Sequence, residues 1–219
     1  MLKPDVREAL RYIGAPNPPD ELLRQADALA AQLAAAVQPR YTYRIYGLDI
    51  LENRVRLQGA QIELPGTSAM KMLSGCNRAA LLACTLGARF DALLLSAQAR
   101  DMSNAVIYDA LGSAFVEAGC DAAQEEILAR FPGVCLTDRF SPGYGDLPLA
   151  VQPGICAALD ASRRLGVTVT PSLLMNPVKS VTAVIGLSDT PQPARIHGCI
   201  SCKMQDTCQF RKEGKSCGA

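Results

Sequence analysis

Hydrophobic residues recur at helical spacing through the first forty positions of the chain. One apolar stripe begins at Val6 and ends near Gly14, and a second occupies residues 22–37. Positions three and four apart lie on one face of an α-helix, so both stripes predict amphipathic helices that pack on a core. Prolines flank both stripes, as expected at helix ends, because proline fits the first helical turn and disrupts the interior.

From Tyr41 onward the hydrophobic residues fall at every second position. Such alternation predicts a strand with one buried face, and residues 55–57 and 62–64 predict two further short strands. Ser68 is placed to cap a short helix after them. The run of residues 79–86 is almost continuously apolar, which is typical of a strand that is buried on both faces.

The second half of the chain mixes long helical patterns with isolated strands. Residues 88–130 predict a long interrupted helix, residues 152–165 another helix, and residues 181–187, rich in β-branched side chains, a strand. No regular strand–helix–strand alternation is present, so we predict an α+β fold, a largely antiparallel sheet with packed helices. Apolar periodicity ends there, which divides the chain into a domain of residues 1–188 and a tail of residues 189–219.

Composition and charge narrow the function classes. The chain has 219 residues, of which 49% are hydrophobic, and its 22 basic and 21 acidic residues leave a formal charge of +1. We therefore expect no nucleic-acid partner, since no basic field exists to attract one. No apolar run is long enough to span a membrane, and the N-terminus has no signal-peptide pattern, so we expect a cytoplasmic protein with no membrane contact. Nine cysteines are unusual for that compartment unless some bind metal.

The tail concentrates these cysteines behind a proline-bearing linker at residues 189–194. Cys199, Cys202, Cys208 and Cys217 fall within the last twenty-one residues, which contain almost no core-forming side chains. Such a segment cannot order itself by apolar burial, whereas binding of a metal by four thiolates would supply folding free energy. The sequence therefore predicts a metal-binding tail, with unligated thiols or a redox disulfide as the alternatives.

The spacing of these cysteines favours iron over zinc. Structural zinc sites usually have two compact knuckles, and here only Cys199 and Cys202 form one. Cys208 and Cys217 are separated by eight residues, among them cations that would offset the charge of a thiolate-bound cluster. Iron–sulfur ligation tolerates irregular spacing. We predict an iron–sulfur cluster, with zinc as the alternative.

A short segment before the second helical region carries the most suggestive chemistry. Arg139 offers a permanently charged planar fork suited to a carboxylate. Pro142 and Gly143 then force the backbone to turn, and Tyr144 adds a flat aromatic face. Together these groups could hold a zwitterionic, partly aromatic small molecule, although the same residues also form ordinary turns.

The segment Arg139-Phe-Ser-Pro-Gly-Tyr144, followed by Leu147-Pro148, resembles the S-adenosylmethionine-binding signature of the activation domain of cobalamin-dependent methionine synthase. Residues 171–184 resemble a second segment of that family. The resemblance covers roughly residues 1–188 and is most specific between 139 and 182. It implies that Arg139 binds the carboxylate of S-adenosylmethionine. It further implies backbone contacts from Ser141 and Gly143, and a contact of Tyr144 with the ligand or the corrin face.

The function implied by the resemblance is reactivation. Such a domain caps a partner's cobalamin and presents S-adenosylmethionine for reductive methylation of cob(II)alamin, and it needs no general acid or base. The implied partner is a cobalamin-binding methionine synthase subunit or related corrinoid protein, with an electron donor such as flavodoxin. The chain has no cobalamin, homocysteine or folate module, so we expect a separate subunit that is not catalytic alone. The alternatives are a non-catalytic corrinoid-protein binding module and an iron–sulfur reductive activator of another corrinoid methyltransferase.

Overall fold

The computed structural model describes residues 1–192. The helices are α1 (Val6–Tyr12), α2 (Asp20–Ala36), α3 (Thr67–Leu73), α4 (Ala88–Arg100), α5 (Met102–Arg130), α6 (Gln152–Ala158) and α7 (Ala161–Leu165), with a 3₁₀ turn at Leu149–Val151. The strands are β1 (Arg40–Ile50), β2 (Arg54–Leu57), β3 (Glu63–Pro65), β4 (Arg78–Thr85), β5 (Cys135–Leu136), β6 (Thr168–Val169), β7 (Met175–Asn176) and β8 (Ser180–Ser188). No helix within this range is long and apolar enough to cross a membrane.

Within residues 1–192, β4 lies near the middle of a six-stranded sheet with the strand order β3-β2-β1-β4-β8-β5. Every pairing in this sheet is antiparallel, and β4 and β8 pair along their length, from Arg78 opposite Leu187 to Thr85 opposite Ser180. The predicted α+β class, with an antiparallel sheet and packed helices, is confirmed.

Side chains from the two faces of β4 enter two separate cores. Leu82 and Cys84 point toward α1, α2 and α5, whereas Leu81 points toward α3, α6 and α7. Because both faces are covered, β4 needs apolar residues at successive positions, and all of its residues after Arg78 are buried. The continuous apolar run thus has the predicted cause.

The long helix α5 approaches the sheet closely through a glycine. A Cβ atom at Gly119 would lie 2.5 Å from Cβ of Pro39 and 2.7 Å from Sγ of Cys84. Real Cβ atoms do not make contacts this short, so this position requires glycine for packing. The contact at Gly119 sets how closely α5 packs on the sheet. It therefore also sets where the solvent-facing side chains of α5 lie relative to the edge of the sheet.

Two local predictions were wrong. Residues 152–165 form two helices, because Asp160 adopts a left-handed conformation (φ 54°) that separates α6 from α7. Ser68 lies inside α3 and does not cap it; the capping oxygens come from Asp146, which is distant in sequence. Both features depend on tertiary contacts that periodicity does not report.

Candidate functional site

The chain leaves β5 and continues beside β8 into the predicted site. Phe140 forms a two-way backbone bridge with Val184, with N···O distances of 3.0 and 2.7 Å, and its side chain is buried in the core that faces α3 and α6. Successive side chains on extended backbone point to opposite faces. Arg139 is therefore directed to the other face of the sheet, toward α5.

Arg139 is held by three side chains of α5. Its Nη2 donates to Oε2 of Glu117 at 2.7 Å, and its Nη1 donates to Oδ1 of Asp121 at 2.5 Å and to Oε1 of Gln124. Burial alone would lower the pKa of Arg139, but the hydrogen bond to Asp121 and the charge of Glu117 outweigh it and raise that pKa. The guanidinium is thus charged, mostly covered and already paired with carboxylates.

Glu117 also forms part of the wall of an open cavity with a volume of about 220 Å³. This cavity lies between α1, α5 and the start of β8, and its wall comprises Tyr12, Ser113, Val116, Glu117, Val178, Lys179, Ser180 and Val181. The last four of these belong to residues 171–184, the second segment singled out in the sequence. The two predicted segments therefore meet on α5, with Glu117 joining Arg139 to the cavity.

Lys179 and Tyr12 contribute polar groups to the cavity wall, and side chains of α5 hold Lys179 as they hold Arg139. Its Nζ lies 3.0 Å from Oδ1 of Asp109 and donates to Oγ of Ser113 at 2.9 Å. Burial, the hydrogen bond to Glu8 and the charge of nearby Glu117 raise the pKa of Tyr12 to about 12, so its phenol is protonated at neutral pH. The cavity thus presents a hydroxyl group, a cation and a carboxylate at fixed positions.

The polar groups that hold these cations share one face of α5. Asp109, Ser113, Glu117 and Asp121 are spaced four apart, which places them along one line of the helix, here called the polar stripe of α5. Its three carboxylates face two cations, so the arrangement carries one net negative charge. The stripe anchors both segments, and it also surrounds the guanidinium with negative charge.

The 139–144 turn is stabilised by its own backbone. The N–H of Gly143 donates to the carbonyl of Leu147 at 2.9 Å, and the N–H of Tyr144 donates to the carbonyl of Ser141 at 3.2 Å. Gly143 has φ 94°, a conformation that favours glycine. The N–H of Gly143 and the carbonyl of Ser141 are therefore used inside the turn. Tyr144 as a whole residue is 62% exposed to solvent.

Asp146 attaches the turn to helix α3. Its carboxylate accepts hydrogen bonds from the N–H of Thr67 at 2.7 Å, from Oγ1 of Thr67 at 2.9 Å and from the N–H of Ser68 at 2.9 Å. Hydrogen bonding to Ser68 and then to Thr67 holds the pKa of this carboxyl well below its ordinary value. A Cβ at neighbouring Gly145 would collide with the side chain of Ser68, which shows how closely turn and helix approach.

Several residues of this site escaped prediction from sequence. The polar stripe of α5 was visible as a four-residue spacing, but without the fold nothing distinguished it from an ordinary solvated helix face. Asp146 gave no signal, because its partners lie 78 and 79 residues away. The predicted metal ligands Cys199, Cys202, Cys208 and Cys217 lie outside the described residues. Among residues 1–192, no group of three side chains is placed to hold a metal ion.

Comparison with known proteins gives a fold likeness. No protein-family model matches the chain. No curated protein matches it. Among solved structures, the crystal structure of the MetH reactivation domain bound to AdoHcy is similar to it, with a TM-score of 0.63 and 18% sequence identity. The match covers 95% of this chain and 76% of that one. Identity at this level establishes a common fold.

Proposed function

We propose that this chain binds S-adenosylmethionine and presents it to the cobalamin of a corrinoid-protein partner for reductive reactivation. The observation that carries the proposal is the link from Arg139 through Glu117 to the cavity, which joins the two predicted segments at one place. The fold supports it, because the similar MetH reactivation domain was crystallised with AdoHcy.

In this proposal the ligand spans the cavity and the 139–144 turn. A cavity of about 220 Å³ is smaller than the roughly 300–1,000 Å³ usual for small-molecule sites, so it accommodates part of the ligand. Arg139 binds the ligand's carboxylate through its planar fork. The N–H of Gly143 and the carbonyl of Ser141 are engaged within the turn. Backbone contacts from these residues would therefore use the carbonyl of Gly143 and the N–H of Ser141. The exposed ring of Tyr144 contacts the ligand or the corrin face.

The protein's contribution to the reaction is placement. S-adenosylmethionine would supply the methyl group and leave as S-adenosylhomocysteine, and the partner's cobalamin would receive that group once it has been reduced by one electron. Holding the donor in a fixed orientation lowers the entropic part of the barrier. No side chain of this site has to transfer a proton, so no general acid or base is assigned.

Calorimetric titration of Arg139 variants tests the ligand site. Arg139→Ala should weaken S-adenosylmethionine binding by about 1.5–3 kcal/mol, or roughly 10- to 150-fold, the range for a hydrogen bond to a charged group. Arg139→Lys keeps the charge and loses the fork, so its affinity should fall between those of parent and alanine variant. Equal affinity in all three proteins would refute the assignment. Binding of a corrinoid protein without binding of S-adenosylmethionine would favour the non-catalytic binding module instead.

We further propose that the cysteine tail delivers the electron that reduces the partner's cobalamin. Cys199, Cys202, Cys208 and Cys217 would hold an iron–sulfur cluster that receives an electron from a donor such as flavodoxin. Protein truncated after Thr190 should still bind S-adenosylmethionine, and it should reactivate its partner with a strong chemical reductant only. Stoichiometric zinc without iron or labile sulfide in anaerobically purified protein would refute the electron-transfer role and leave a structural tail.

A further inference from the structure

We infer that Asp121 sets the ligand affinity of this site by competing with the ligand's carboxylate for Arg139. The inference rests on the proposed function. Both terminal nitrogens of Arg139 already donate to α5, to Glu117 through Nη2 and to Asp121 and Gln124 through Nη1. A ligand carboxylate that uses the fork must take the place of at least one of these acceptors.

The exchange lowers the apparent affinity of the ligand. If Arg139 is available to the ligand in only a fraction of the molecules, the apparent affinity of the protein for the ligand is reduced to that fraction of its full value. Arg139 is only 22% exposed, so its bonds to α5 are screened less than those of a free surface pair. Each acceptor that is removed from α5 therefore raises the fraction of Arg139 available to the ligand.

Asp121 is a better residue than Glu117 for testing this competition, because its substitution is less prone to change a direct contact with the ligand. Glu117 forms part of the cavity wall, so its carboxylate is placed to touch a ligand. Asp121 lies one helical turn further along α5 and is 63% exposed, with its bond to Arg139 at 2.5 Å. Asp121 is thus a positioning residue that acts through Arg139. Replacing its carboxylate with an amide keeps the volume of the side chain and weakens the hold on the guanidinium.

The test compares two ligands of equal net charge in the parent and the Asp121→Asn protein. S-adenosylhomocysteine carries the amino-acid end with its carboxylate, whereas 5′-methylthioadenosine lacks that end, and both are neutral overall. Asp121→Asn should tighten S-adenosylhomocysteine binding by about two- to fivefold, the effect of weakening one ion pair whose carboxylate is largely exposed. Binding of 5′-methylthioadenosine should not change. A general effect on folding would move both affinities together.

Two matched proteins complete the experiment. Glu63→Gln removes a carboxylate that pairs with Arg54 and Arg56. Glu63 lies on β3, at the opposite edge of the sheet from β5, so this substitution should leave both affinities unchanged. In an Arg139→Ala background, Asp121→Asn should have no effect, because the residue through which it acts is gone.

The outcomes separate this inference from the proposed function. Binding of neither compound to any of the proteins would overturn the proposed function, and the inference with it. Binding of S-adenosylhomocysteine to the parent, with unchanged or weaker binding to Asp121→Asn, would overturn the inference alone. Weaker binding would mean that Asp121 helps to hold the ligand, either by orienting Arg139 or by accepting a hydrogen bond from the ligand's ammonium group.

Discussion

Arg139 and Tyr144 belong to one short turn, yet the structure holds them in opposite ways. Arg139 is held by its side chain, with three partners on the long helix α5. Tyr144 is held by its backbone, through hydrogen bonds within the turn and through neighbouring Asp146 to α3, while its ring is exposed. One end of the turn thus presents a charge whose position is fixed, and the other end presents an exposed aromatic ring.

The difference separates two tasks that the proposed function requires. Recognition of a charged ligand group benefits from a rigid, partly covered cation, because both position and screening are then controlled. Contact with a partner requires an exposed group, and among residues 1–192 nothing covers most of Tyr144. A change that moves α5 should therefore alter ligand binding at the Arg139 end, and a change that breaks the Asp146–α3 contact should alter the Tyr144 end.

The largest effect is expected from Gly119→Ala, which disturbs the support of the Arg139 end. The added Cβ would lie 2.5 Å from Pro39 and 2.7 Å from Cys84, so α5 must move away from the sheet. Overpacking of this kind costs about 1–3 kcal/mol of unfolding free energy, to be measured by urea denaturation. Binding of S-adenosylhomocysteine should weaken as well, because moving α5 displaces Glu117 from the cavity wall.

The matched control for this variant is Gly154→Ala on α6. A Cβ there would lie 3.6 Å from the nearest atom, on Ile62, which is ordinary van der Waals contact. Replacing a helical glycine with alanine at such a site should leave the protein equally stable or slightly more stable. Equal destabilisation by both substitutions would show that close approach of α5 to the sheet is not the cause.

The next effect is expected from Asp146→Ala, which detaches the Tyr144 end from α3. The variant loses the oxygens that accept from Thr67 and Ser68 at the start of the helix. Loss of an N-terminal capping carboxylate costs about 0.5–2 kcal/mol. Amide exchange measured by NMR should accelerate at Thr67 and Ser68 and in the turn near Tyr144, while α5 near Glu117 stays protected. Faster exchange in α5 as well would mean that the two ends are not independent.

The same variant should change the acid sensitivity of the protein. The folded-state pKa of Asp146 is below the ordinary value of 3.8, so its stabilisation is fully present above that pH and is lost as the pH falls further. Urea denaturation at pH 7 and pH 3 should therefore show a smaller difference between parent and Asp146→Ala at pH 3. A difference that stays constant with pH would contradict the role of the ionised carboxylate.

Sequence periodicity predicted the scaffold of this site much better than its contacts. The pattern of residues 79–86 predicted β4, and the interrupted helix at residues 88–130 corresponds to α4 and α5, because local spacing reports which face is buried. The chemistry of Arg139 was also predictable, since its charge and fork belong to the residue itself. The predicted roles of Ser141, Gly143 and Tyr144 remain proposals.

The partners of the turn could not be predicted, because they are set by tertiary structure. Arg139 meets Glu117 and Asp121 across 22 and 18 residues, and Asp146 meets Thr67 across 79. No local pattern reports such pairings. Without them, the sequence could indicate that a cation was present but not that α5 was already paired with it. The proposed ligand therefore has to displace at least one of these partners.

The smallest effect on the isolated protein is expected from Tyr144→Ala. The exposed ring has little packing to lose, so unfolding free energy should change by less than about 0.5 kcal/mol. Affinity for 5′-methylthioadenosine or S-adenosylhomocysteine should change little if the ring serves mainly the partner's corrin face. Reactivation of a cobalamin-bearing partner should then fall, whereas Tyr144→Phe, which keeps the ring, should retain activity. If Tyr144→Ala instead weakens ligand binding as much as Arg139→Ala does, both ends of the turn bind the same ligand, and the division between a charged end and a presenting end is wrong.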